Sequence, residues 1–184
     1  RRFSTLDAMF AEQARQQIAA TVRTAQIILA ALATGVVMFG VVVVFGMPGG
    51  HAGNGNTLTL LAVCFAGADL VLCLWIPNLV VAAQRRKIAA GTWQAAPSRG
   101  PVPDTDAGKL AMIYQMKMII GAAMLEGGCF LALTAYVVER QVPSLLTAAV
   151  LLAALLAHFP TYGRVEAWVE EQWRRVEEER RFSK

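Results

Sequence analysis

The stretch AQIILAALATGVVMFGVVVVFGM, residues 25–47, carries no charged side chain. About 20 apolar residues in α-helix cross a hydrocarbon layer of about 30 Å, so this run predicts a transmembrane span. Three further runs repeat the pattern. Residues 57–84 are interrupted only by Asp69, residues 110–138 only by Lys117 and Glu126, and residues 142–163 by no charge at all. The whole chain of 184 residues is 56% hydrophobic, above the roughly 45–50% apolar content of soluble domains. The expected fold class is all-α: a polytopic membrane protein built as a bundle of four transmembrane helices. The spans are expected at about 25–47, 57–84, 110–138 and 144–162, within a membrane domain over residues 25–163.

Basic residues are distributed unevenly between the linkers. Arg1, Arg2, Arg15 and Arg23 precede the first run, while Arg85, Arg86, Lys87, Arg99 and Lys109 lie between the second and third. Arg164, Arg174, Arg175, Arg180, Arg181 and Lys184 follow the fourth, and the other two loops hold only Arg140. Positive charge collects on the cytoplasmic side, so both termini are expected there, in the inner membrane of a cell. The net charge of +4 then reads as topology and attraction to anionic lipid. The expected partner is the lipid bilayer, not nucleic acid.

The flanks complete the expected layout. Within a cytoplasmic segment expected over residues 1–24, residues 3–20 place Phe3, Leu6, Met9, Phe10, Gln13 and Gln17 on one side at helical spacing. That predicts a cytoplasmic amphipathic helix lying on the membrane surface. The segment is too charged for a signal peptide and the apolar run after it too long for a signal core. The chain begins without methionine, so residues upstream of Arg1 are expected. Residues 164–184 form a charged helix with Val165, Trp168, Val169, Gln172 and Val176 on a narrow stripe. Opposite charges three and four residues apart suit a solvated cytoplasmic helix; Trp168 and Trp173 also suit the membrane interface, and the stripe a neighbouring subunit. Asn56 or Thr57, Asp104 or Asp106, and Ser144 are the expected caps of spans two, three and four. Pro77 should kink span two.

Two acids stand inside the apolar runs. Asp69 is near the middle of its run and Glu126 a little past the middle of its own, so both fall within a turn or two of the bilayer centre. A charge at that depth costs roughly 2.5–3.5 kcal/mol on insertion scales. Small residues flank both acids: Ala66 beside Asp69, and Ala122, Ala123, Gly127 and Gly128 beside Glu126. Such residues permit close helix packing, and these five are the candidate interface positions. Asp69 and Glu126 are the candidate ion-binding residues. Two carboxylates at shared depth do not both stay ionised without a proton or a monovalent cation between them. The competing expectation is that a protonated acid bonds across helices, to Thr34, Thr134, Tyr136 or a carbonyl. Lys117 is half a turn off and should extend toward the interface near Tyr114 and Gln115.

No metal site, catalytic residue or cofactor is expected. Cys64, Cys73 and Cys129 fall within spans without a CxxC or Cys/His pattern. His51 reads as a loop residue, and His158 lacks the second axial group a haem requires. Without a nucleophile–base pair or a nucleotide loop, an enzyme is not expected.

Two resemblances follow from the quoted residues. MIIGAAMLEGGCFLALTAYVVE, residues 118–139, resembles the carboxyl-terminal helix of rotary ATPase proteolipid (c) subunits, over about 20 residues. In those subunits the acid matching Glu126 carries the translocated proton or sodium ion. The first span lacks their dense glycine repeat, having only Gly35, Gly40 and Gly46. More of the chain is similar to small four-span bacterial membrane proteins, through Leu125-Glu126-Gly127 in span three and Pro160-Thr161 before the charged tail. The functional expectation is an oligomeric ion- or proton-conducting assembly using the intramembrane carboxylates. The alternative is a non-catalytic scaffold or accessory subunit of a larger membrane complex.

Overall fold

A computed structural model describes residues 2–46, 55–94 and 105–182, and among them every regular element is helical. The first helix, α1, spans Arg2–Val41, and its continuation over Val42–Gly46 widens to π spacing. Residues 3–20 therefore do not form a separate surface helix ahead of the first span. The reason is local: residues 2–41 contain no proline and no glycine before Gly35, so nothing interrupts the hydrogen-bond ladder. Of the apolar face expected on residues 3–17, only Gln17 falls among the described side chains.

Helix α2, Thr57–Ala89, runs on through Pro77. It stops where Gly91 turns left-handed at φ 70°. There the Thr92 and Gly91 amides bond back to the Lys87 and Ile88 carbonyls, the paired closure that a glycine in this position permits. Helix α3, Asp106–Glu139, starts under a cap that sequence reading missed: Thr105 Oγ1 accepts the Gly108 amide at 3.1 Å. Asp106 is the first helical residue instead and pairs with Lys109 and Arg180. Asp104 and His51 lie outside the described residues.

Helix α4, Val142–Ala157, has Gln141 at its N-cap without a side-chain bond and Pro143 in its first turn. Ser144 is thus inside the helix rather than capping it. The helix ends at His158, short of the expected 162, because Pro160 cannot continue the ladder. Helix α5 covers Tyr162–Phe182. Three helices are long and apolar enough to cross a membrane, or four if α4 and its continuation count as one broken span.

Contacts divide the chain into two units. One comprises Ile27–Pro77 and Met118–Phe159. Of the chain's 17 basic and 13 acidic residues it holds only Arg140 and the acids Asp69, Glu126 and Glu139. Its stretches of α1, α2 and α3 are each about 20 residues, or about 30 Å of helix, the thickness of a hydrocarbon core. Helix α3 supplies much of its core through Ala122, Leu125, Cys129, Ala132, Leu133 and Ala135. Helices α1 and α2 contribute narrow seams, Leu29–Ala33–Val36 and Ala62–Ala66–Asp69–Cys73, at intervals of three and four. Away from those seams, Phe45 is 80% exposed, Trp75 69% and Leu146 61%. Apolar surface on that scale suits lipid rather than water.

The other unit comprises Arg1–Gln26, Asn78–Lys117 and Pro160–Lys184. Here the narrow stripe of α5 is buried within its own chain: Val165, Val169, Gln172 and Val176 are all covered. Trp168 meets the Tyr114 ring edge-on at 5.1 Å, with Lys117 Nζ 5.8 Å from its centroid. Arg85 joins Glu179 and Gln172, and Arg180 joins Asp106 and the Ile88 carbonyl. The tail helix is therefore docked rather than freely solvated, because four apolar and amide side chains on one face outweigh the charges around them.

Candidate functional site

Asp69 is 4% exposed, because it shares one face of α2 with Ala66, three residues before it, and Cys73, four after. Its Oδ2 is seated directly on α3 at Gly128. A Cβ added to Gly128 would lie 2.6 Å from Oδ2 and 2.9 Å from Leu151 Cδ1 of α4. Only glycine leaves room there for the carboxyl. Asp69 Oδ2 is buried without a hydrogen-bond partner among the described residues. Buried polar atoms are almost always partnered, so such an orphan calls for an explanation.

The nearest thiols give it nothing. Cys73 Sγ donates to the Leu70 carbonyl at 3.2 Å, and Cys129 Sγ to the Ala148 carbonyl at 3.7 Å. Cys64 is the exposed member of the three cysteines.

Glu126 is half-buried and is not brought into a hydrogen-bonded pair with Asp69. It lies two residues before Gly128, which is about 200° around the helix. Its own side of α3 carries Phe130 and Leu133, which meet α1 at Phe39 (ring centroids 5.4 Å apart) and beside Gly40. Of the partners expected for it, Thr134 Oγ1 donates to the Phe130 carbonyl, and the Tyr136 ring faces Arg140 at 5.5 Å. Of the five candidate packing positions, Ala66, Ala122 and Gly128 are buried, whereas Ala123 and Gly127 face outward.

A second polar cluster in the same unit was not anticipated. Glu139, 5% exposed, accepts the Leu58 and Thr59 amides through its two oxygens, each at 2.8 Å. It thereby caps α2 from the end of α3, the work expected of Asn56 or Thr57. Thr59 Oγ1 and Ser144 Oγ share a bond of 2.7 Å, tying α2 to α4. Among the described residues, no group of three or more His, Cys, Asp or Glu side chains is placed to hold a metal ion.

The helices and their exposed apolar faces are consistent with a multi-pass membrane protein. Compared with known proteins, the chain matches no family model, no curated protein and no solved structure.

Proposed function

We propose that this is a four-span inner-membrane protein with both termini cytoplasmic, assembling as an oligomer that conducts protons or monovalent cations. Asp69 is the primary binding group, and Glu126 is a second, separate one. The observation that carries this reading is the Asp69 carboxyl, buried midway along α2 with an unpartnered oxygen. An ionisable residue kept at that depth is a functional site by default. Polar groups stand on either side of it along the unit. The Thr59–Ser144–Glu139 cluster is ten residues, or about 15 Å, toward the start of α2. One to two turns the other way, His158 and the Cys73 carbonyl both come within 4.0 Å of a Cβ built on Gly121. His158 Nδ1 lies 2.8 Å from the Ala154 carbonyl, which can only accept, so Nδ1 carries the hydrogen.

The test is flux in proteoliposomes. Asp69→Asn should abolish ion movement while the protein still folds, and Glu126→Gln should reduce or abolish it. Full flux in Asp69→Asn removes the conduction role. The apolar remainder of the unit's core favours one other reading, a scaffold or accessory subunit, and a parent protein without flux selects it.

A further inference from the structure

We infer that the species Asp69 binds and releases is a proton, not an alkali cation. This rests on the reading of Asp69 as the ion-binding group and specifies its cargo. A dehydrated alkali cation needs a shell of oxygens in place of its water. At the Gly128 seat the nearest atoms from other helices are the Asp69 carboxyl itself and a methyl of Leu151, and Oδ2 has no hydrogen-bond partner among the described residues. The titratable groups beside it are Cys73, one turn along its own helix, and Cys129, next to Gly128 on α3. Both thiols point their hydrogens at carbonyls, and sulfur is a soft donor poorly suited to a hard cation. The stretches of α1 and α4 in this unit bring no charged residue. The oxygens seen at that seat are therefore those of the Asp69 carboxyl, with a methyl rather than a further oxygen beside them. A proton needs only one. Once bound, it makes the group neutral, the form that an apolar enclosure tolerates. Release returns the proton to water and leaves a carboxylate, so water must reach Oδ2 in the unloaded state.

Infrared spectroscopy of the full chain in lipid nanodiscs tests this, because a protonated carboxyl has a C=O stretch separate from carboxylate and amide bands. The expected result is an acid band at neutral pH that disappears in Asp69→Asn and is unchanged by sodium or potassium. It should fade reversibly as the pH is raised. Loss of that band on adding sodium or potassium at constant pH would overturn the inference, as would its absence from the parent. A band that survives at every accessible pH would also overturn it, since a group that never ionises releases nothing. Proton flux measured on the same preparation separates the two readings. An intact, titrating band without flux keeps the proton at Asp69 and removes the conducting assembly.

Discussion

Gly128 and Asp69 occupy each other's space. The carboxyl oxygen lies where a methyl group would be, so the two positions are expected to behave as one unit. Gly128→Ala should destabilise the protein by about 1–3 kcal/mol, the usual cost of overpacking, despite the better helix propensity of alanine. Asp69→Ala in the same chain should relieve most of that cost. Thermal unfolding of the two single variants and the double variant measures the coupling, and additive effects would mean the carboxyl is not seated on Gly128. Ala66 and Ala123 make a second contrast. Ala66 is buried in the α2 seam and Ala123 faces outward. Ala66→Leu should therefore lower stability by about 1–3 kcal/mol, and Ala123→Leu should leave unfolding unchanged. Equal losses from both would place a partner helix on the outer face of α3.

The helices themselves were largely readable in the sequence, since uncharged runs of membrane-spanning length have few alternatives. Their ends were not. The α2 amides are satisfied by Glu139, some 80 residues away, and no local spacing announces a cap that another helix supplies. The same limit applies to the acids. Counting residues along a helix gives depth, and depth put Asp69 and Glu126 together. Which way each one points depends on where the neighbouring helices stand around α3, and that information is not local. Glu139→Gln tests the borrowed cap: an amide presents one acceptor where the carboxylate presents two. Hydrogen exchange at Leu58 and Thr59 should quicken and the melting temperature should fall, with Thr59→Ala acting in the same direction. Unchanged protection at both amides would show that the cap contributes nothing.

Across the chain as a whole, one unit holds all but four of the 30 acidic and basic side chains. The docking of α5 should depend on its buried stripe more than on its ion pairs. Arg180 is 41% exposed at the side chain in its pair with Asp106, so Arg180→Ala should cost only about 0.2–1 kcal/mol. Val169→Asp puts a charge into a covered position and should free α5 to limited proteolysis. A tail freed by Arg180→Ala alone would reverse that ranking. Orientation has its own check. Cysteines introduced at Asn54 and Gln141 should react with an impermeant thiol reagent from outside, and those at Ser98 and Ser183 should not. The opposite pattern would invert the proposed topology.

The cysteines have a practical consequence. Cys73 and Cys129 are buried and Cys64 is exposed, on a helix whose neighbouring Val63 and Phe65 are open to the surroundings as well. The natural chain is thus a single-site probe. A membrane-permeant nitroxide reagent should attach at Cys64 and leave the other two thiols free. Dipolar electron resonance between labels would then report a distance set by the symmetry of any assembly: one distance for a pair, two for a square of four. Subunit number becomes measurable in the bilayer without altering a residue.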